Sequence, residues 1–373
     1  VVGVQPARGY NIDPKATYHD PDLVPPHGYF AFYMWLTQEF DSHAVIHLGK
    51  HSNLEWLPGK ALALSSSCFP EAAFAPVPHL YPFIVNDPGE GTQAKRRTSA
   101  VIIDHLTPPL ARAETYGELR DLEALVDEYF EASQTDPRRL PILSRDILEL
   151  CASTGLDQDC GIGAGDDEAE KLTKLDGYLC ELKEMQIRDG LHIFGASPDA
   201  GLETSLLVAL TRVPRGDGSG GDASLTRALA HDLTLGFDPL DPEMVANWSD
   251  ARPDTLLALT QDPWRTTGDT VERLELLASA LIDGSLACDP AWTATLDVLG
   301  EIETHLRPAV AACGERELTG LMTGLDGRFV EPGPSGAPSR GRPDVLPTGR
   351  NFYSVDTRAV PTPAAWRLGW ASA

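Results

Sequence analysis

No run of eighteen apolar residues occurs anywhere in this 373-residue sequence, so no membrane-spanning helix is expected. Cysteine is scarce and dispersed. Cys68, Cys151, Cys160, Cys180, Cys288 and Cys313 form no C-x-x-C pair, which excludes a zinc ribbon and a secreted disulfide framework. Reduced thiols in the cytoplasm, most of them small core residues, are the simplest account. Basic residues are outnumbered, 30 Lys and Arg against 55 Asp and Glu, for a formal net charge of -25. That balance argues against a nucleic-acid partner, whose phosphates need cations to displace counterions. Two chemical signatures are missing as well. Without a G-x-x-x-x-G-K-[ST] phosphate loop there is no ATP site of that kind, and no G-x-S-x-G nucleophile elbow is present. Gly161-Ile162-Gly163-Ala164-Gly165 imitates a dinucleotide loop, but Asp166-Asp167 follow it and no strand precedes it, so a plain loop is expected. No initiator Met and no leader are seen. Both ends read as the interior of a folded protein, so an internal portion of a longer chain is expected.

What is present is an ordinary globular composition, 42% hydrophobic and 23% charged, enough for a real core. The pattern predicts an α/β fold in three parts. Residues 1–112 read as a strand–loop–helix α/β segment, 113–323 as a largely α-helical region, and 324–373 as a Pro/Gly-rich crossing loop that returns to the α/β core. Within the first part, residues 28–40 have helical length, and 44–48 and 80–85 read as buried strands. A helix is expected over 92–105, with Ala94, Ala100, Val101, Ile103 and Leu106 as its apolar positions, stopped by Pro108-Pro109. Amphipathic helices are expected over 119–132, 138–154, 168–188, 270–282 and 290–305, a flexible loop over 216–222, and a returning strand over 351–355.

Three segments could carry chemistry. In His47-Leu48-Gly49-Lys50-His51-Ser52-Asn53-Leu54-Glu55-Trp56-Leu57-Pro58-Gly59-Lys60, the residues His47, His51 and Glu55 are each four apart. If the segment is helical from His51 onward, His51 and Glu55 share a face. His47 would close the preceding strand, where open α/β sheets bind ligands. Imidazole and carboxylate can hold a borderline divalent ion or move protons. On spacing alone, the commoner reading is a capped helix with a surface His–Glu pair. The second segment, Asn86-Asp87-Pro88-Gly89-Glu90-Gly91 leading into Lys95-Arg96-Arg97, is a strand end, a turn and a helix start. Free N–H groups and cations there suit carboxylates or amides of a substrate; a solvated basic helix face is the plainer alternative. The third is Gly349-Arg350-Asn351, a turn before a strand that could present donors.

Together these segments resemble one family. His47 to Lys60 is similar to the H-x-G-[KT]-H-G-x-L-E-[WF]-x-P-G-K signature of the class I chelatase large subunits, which comprise the CobN-type cobaltochelatase subunit and the magnesium chelatase H subunit. YPFIVNDPGEGTQAKRR (81–97), LDGYLCELKEMQIRDGLHIFG (175–195) and LPTGRNFYSVDTRAVPTP (346–363) resemble three later blocks, in family order. Lys50-His51, Glu55-Trp56 and Asn86-Asp87-Pro88-Gly89-Glu90-Gly91 resemble the cobalt branch more than the magnesium branch. One departure is Ser52, where the family usually has Gly. If that Gly serves a positive φ or close ligand approach, Ser52 costs about 1 kcal/mol or crowds the site.

The resemblance implies a tetrapyrrole-binding catalytic subunit of an aerobic cobaltochelatase. Such a subunit inserts Co2+ into hydrogenobyrinic acid a,c-diamide in cobalamin biosynthesis, in the bacterial cytoplasm. ATP and Mg2+ would be used by an AAA+ motor subunit and its integrin-like companion, in keeping with the missing phosphate loop. By position in the family motifs, Glu55 is the expected base and metal-delivery ligand, His51 its partner and a metal ligand, and His47 a further ligand or support. Asn86 and Glu90 would line the pocket, and Lys95, Arg96, Arg97, Arg350 and Asn351 would hold substrate side chains. Alternatives are a magnesium chelatase H subunit acting on protoporphyrin IX, a non-catalytic tetrapyrrole-binding protein of the same fold, and a helical interaction scaffold in which His51 and Glu55 are inert.

Overall fold

The structure, a computed structural model, describes residues 1–8, 22–49, 51–108, 121, 122, 125, 126, 128, 129, 132, 136–154, 156, 162, 166, 167, 170, 171, 174, 175, 191–243, 246, 248–261, 264, 267–353 and 363–372. The expected helix over 168–188, the loop over 161–165 and the family block over 175–195 lie largely outside these residues, as does the end of the last family block after Tyr353.

Helix α1 (His27–Met34) runs on into a π-helical turn, Trp35–Glu39, and leads to the short strand β1 (Val45–Ile46). Helix α2 (Phe69–Ala73) precedes strand β2 (His79–Ile84), and helix α3 (Pro88–Arg97) leads to strand β3 (Val101–His105). The three strands form a parallel sheet in the order β1-β2-β3, with Val45 opposite His79 and Tyr81 opposite Ile102. Central strand β2 contains Pro82, which has no N–H to give to a ladder. The neighbouring position on the same side, Leu80, accepts from His47 N. Pro82 therefore faces past the end of two-residue β1, where no ladder bond is lost.

The helix expected over 92–105 is corrected to a helix and a strand. Helix α3 stops at Arg97, Ser99 takes a positive φ of 52°, and Val101-Ile102-Ile103 continues as β3. The apolar spacing that imitates a helix is that of a short helix followed by a β-branched run, which prefers a pleated, buried surface.

Beyond the sheet come α4 (Leu140–Thr154), α5 (Ala200–Arg212), α6 (Leu225–Asp232), α7 (Asp254–Leu257), α8 (Thr267–Ile282) and α9 (Thr293–Glu301). Helix α9 passes through a π-helical turn into α10 (Arg307–Leu325). The chain then returns through β4 (Pro332–Pro334) to β5 (Asn351–Tyr353), which pair in parallel, and α11 (Pro363–Ser372) follows. Among the described residues, the middle is largely helical and a strand returns at Asn351–Tyr353, as expected of the α/β pattern.

The largest apolar cluster packs α5, α6, α8 and α9 together through Leu207, Leu229, Leu277 and Val298, and takes in Val85 and Leu106 from the strand ends. Glu317 of α10 ties these parts. Its buried carboxylate accepts from His192 Nε2 and Gly195 N, each at 2.8 Å, from Leu106 N at 3.0 Å and from Thr348 Oγ1 at 2.8 Å. Four donors satisfy one buried charge, the condition under which such a charge is tolerated.

Candidate active site

Strand alternation sends Val45, His47, His79, Tyr81, Phe83, Ile102 and Asp104 to one face of the sheet. Against that face lie α1, the loop 51–68, α3 and Phe352. The loop holds turns and bends and no helix, so the expectation that His51 and Glu55 share a helical face is corrected. His51 instead meets Trp56, the neighbour of Glu55, at Glu90 of α3. Trp56 Nε1 donates to Glu90 Oε2 at 2.7 Å, and His51 Nδ1 stands 3.9 Å from the same oxygen. His51 Nδ1 is also 2.7 Å from the Ser52 carbonyl, which can only accept, so this nitrogen carries the proton and Nε2 the lone pair of the neutral ring.

Glu55 is fully buried. Tyr81 Oη donates to Glu55 Oε1 across 3.4 Å while accepting from Ser52 N, and Glu55 Oε2 is buried without a hydrogen-bond partner. Burial pushes the Glu55 carboxyl up to about 8, with the Glu90 charge adding to the rise; its own N–H, Ser52 and Tyr81 work against it. Glu55 is therefore mostly a neutral acid at pH 7, whereas water reaches the side chains of Glu90 and His51.

His47 is engaged on both ring nitrogens. Nδ1 is 2.7 Å from His79 Nε2, and Nε2 is 3.3 Å from Tyr33 Oη. His79 Nδ1 faces the Thr98 carbonyl at 3.2 Å. Because that carbonyl cannot donate, the protons follow in sequence. His79 donates to Thr98, His47 donates to His79, Tyr33 donates to His47, and Gln5 Nε2 donates to Tyr33 at 2.6 Å. The other end agrees, since Gln5 Nε2 also donates to Ser52 Oγ at 3.0 Å while Gln5 Oε1 accepts from Asn53 N. Burial lowers His47 to about 3 and His79 to about 4, so both rings are neutral. Among the described residues no three His, Cys, Asp or Glu side chains stand close enough to hold a metal ion, so His47, His51 and Glu55 do not gather as one ligand set.

Ser52 fits without strain. It is absent from the residues with positive φ, and its Oγ also accepts from Leu54 N at 3.2 Å. Of the two costs expected of a side chain in place of Gly, the strained φ does not arise.

The basic and amide groups of the second and third segments divide. Lys95 Nζ donates to the Phe352 carbonyl at 2.7 Å. Arg350 N donates to Asp104 Oδ1 at 2.7 Å and its guanidinium to the Asp344 carbonyl, while Asn351 Oδ1 accepts from Ile102 N at 3.2 Å. These three fasten the returning segment to β3 and α3 rather than converging with His51, Glu55 and Glu90. Arg97 turns to backbone carbonyls of the Glu55 loop. Asn86 is exposed just past β2, and Arg96 is partly exposed on α3. Sequence reasoning missed Gln5, Arg8, Tyr33, His79 and Tyr81. Tyr81 and His79 share the strand period with His47, a signal that becomes readable once the register of β1 on β2 is known.

A sequence model of the CobN/Magnesium Chelatase family matches residues 1–373. The chain belongs to this family. It is 64% identical over its whole length to an aerobic cobaltochelatase subunit CobN of Sinorhizobium and 58% identical to the one of Pseudomonas aeruginosa. The magnesium-chelatase H subunit of Chlorobaculum parvum is 29% identical over 99% of the chain. Among solved structures, the catalytic subunit of cobaltochelatase from Mycobacterium tuberculosis matches 98% of the chain with a TM-score of 0.60 and 41% identity. The chain spans about 30% of the length of these relatives. Both CobN relatives stand well above the magnesium relative in identity, in line with the Lys50-His51 and Glu55-Trp56 steps.

Proposed function

We propose that this chain is the metal-insertion portion of the large subunit of an aerobic cobaltochelatase. The reaction places Co2+ in hydrogenobyrinic acid a,c-diamide and releases two ring N–H protons. An AAA+ motor subunit and its integrin-like companion hydrolyse ATP, with Mg2+, in the bacterial cytoplasm. One observation carries the reading: Glu55 is a buried carboxyl with an unpartnered oxygen that feels the charge of Glu90, and Glu90 pairs with the more open His51.

The electrostatics suit the task. A hydrated dication is drawn first to Glu90 and His51, which water reaches. Glu55, held at about 8, then gives up its proton as the cation approaches, because the positive charge reverses the burial cost that kept it neutral. The proton of Glu55 leaves to water, the freed carboxylate accepts one of the two ring N–H protons, and the other passes to water or to the lone pair of His51 Nε2. Tyr81 keeps Glu55 Oε1 aligned, so that Oε2 faces the reaction. Asn86, exposed just past β2, and Arg96, partly exposed on α3, hold amide and carboxylate arms of the macrocycle.

Glu55→Gln in the full-length subunit, assayed with its partners, is expected to lower cobalt insertion about 100-fold or more while tetrapyrrole binding persists. Near-normal turnover would remove Glu55 from the chemistry. The magnesium reading is separated by titrating the subunit with hydrogenobyrinic acid a,c-diamide and with protoporphyrin IX; tighter binding of protoporphyrin would favour it.

A further inference from the structure

The carboxyl of Glu55 is not located by its own hydrogen bonds. Its hydrogen bond from Tyr81 is long, at 3.4 Å, the pull of Ser52 and of its own N–H is weaker than its burial, and Oε2 has no hydrogen-bond partner. Its place must come from the backbone that carries it. That backbone is irregular, yet residues 52–55 and 57 are buried, so its carbonyls need donors other than water.

Two arginines from distant parts of the chain supply them. Arg97, in the last turn of α3, donates from Nη1 to the Glu55 carbonyl at 2.6 Å, from Nη2 to the Leu57 carbonyl at 2.7 Å and from Nε to the Lys60 carbonyl at 3.1 Å. Arg8, 1% exposed, donates from Nη1 to the Trp56 carbonyl at 2.8 Å. Four carbonyls around one carboxyl thus converge on two guanidinium groups. A planar fork with donors on three nitrogens can span carbonyls spread over six residues; the single ammonium of a lysine cannot. Arg97 carries out this span from the rigid end of a helix whose start bears Glu90.

We propose that Arg97, seconded by Arg8, is a positioning residue: it fixes the loop backbone from Glu55 to Lys60 and so holds the reacting carboxyl in place against Tyr81. The function of this device rests on the reading of Glu55 as the reacting group, whereas its structural part does not. Arg97 would act without touching metal or macrocycle.

The test uses the full-length subunit with Arg97→Lys, Arg97→Ala and Glu55→Gln. Arg97→Lys is expected to slow single-turnover cobalt insertion about 10- to 100-fold, with unchanged tetrapyrrole Kd and a thermal midpoint near the parent's. Added guanidinium ion is expected to restore part of the activity of Arg97→Ala and none of that of Glu55→Gln. Hydrogen exchange of amides 54–60 is expected to quicken in Arg97→Lys while β2 and β3 stay protected. Parental exchange in that loop would overturn the proposal, and if insertion were lost at the same time Arg97 would be a substrate contact. Parental insertion by Arg97→Lys together with loss by Glu55→Gln would also overturn it. Normal insertion by Glu55→Gln would remove the reading of Glu55 instead, and loop exchange would still decide whether Arg97 positions it. Should Arg97→Ala fail to fold, Arg97→Lys carries the test.

Discussion

His47 Nδ1 lies 2.7 Å from His79 Nε2, with the two rings meeting at 86°. His47 needs His79 neutral: a second proton on His79 would set N–H against N–H. The folded values, about 3 and about 4, lie below the ordinary 6.5. As pH falls from 6.5 toward 4 the unfolded chain therefore gains protons that the folded chain refuses, and stability is lost in that window. His79→Phe is expected to cost about 1–3 kcal/mol at pH 7.5, through the unpaired Thr98 carbonyl and His47 Nδ1. It is also expected to flatten the acid side of the profile. Thermal midpoints of parent and variant measured from pH 7.5 to 4 check this; parallel curves would mean that His79 titrates freely.

Glu55 has the opposite sign. Its folded value, about 8, lies above the ordinary 4.5, so raising the pH between those limits ionises the unfolded chain alone and favours unfolding. Glu55→Gln is therefore expected to be more stable than the parent by roughly 2–4 kcal/mol at pH 8, with the gap closing as pH falls toward 4.5. Chemical denaturation at pH 5, 6.5 and 8 reads the trend. A gap independent of pH would show that Glu55 is ionised in the folded protein.

Ser52→Gly, a change toward the residue common in the family, is expected to destabilise by about 1–2 kcal/mol. It deletes the Oγ that receives Gln5 and Leu54 N, and it relieves no strained φ. Urea unfolding that leaves the midpoint unmoved would refute this account of Ser52.

Gly91 marks the closest approach of the returning strand to α3. A Cβ built there falls 2.3 Å from Phe352 Cζ and 3.3 Å from Phe83 Cδ1. Gly91→Ala is expected to cost about 1–3 kcal/mol despite the better helix propensity of Ala. Gly28→Ala, with nothing within 4 Å of the added Cβ, is expected to be neutral or slightly stabilising. Equal thermal midpoints for the two variants would contradict the contact.

The strands β1 and β2 were legible because each lies in a short apolar run closed by Gly49 or Asn86. Strand β3 was not, because Ala94 and Ala100 to Ile103 imitate the spacing of one helix and the break at Ser99 leaves no Gly or Pro. At the site, His51, Glu55 and Glu90 were readable as motif positions, but the means of their meeting was not. Fourfold spacing suggested a helix, whereas Trp56 and Glu90 do the joining. The roles of Lys95, Arg350 and Asn351 could not be read because their partners lie some 250 residues away, a separation on which local pattern is silent.

That separation has a consequence for biosynthesis. Arg350 N reaches Asp104 across 246 positions, and Asn351 reaches Ile102 across 249. At about 5–20 residues per second, the ribosome makes the second partner roughly 12 to 50 s after the first. For that interval the outer edge of β3 waits with a burial-prone carboxyl and an open ladder N–H, and the sheet face against which the Glu55 loop packs is roofed only in part. The nascent chain is thus in greatest need of a chaperone while the helical middle is being made, and truncation anywhere before residue 350 leaves an exposed strand edge, a template for aggregation, rather than a smaller folded unit.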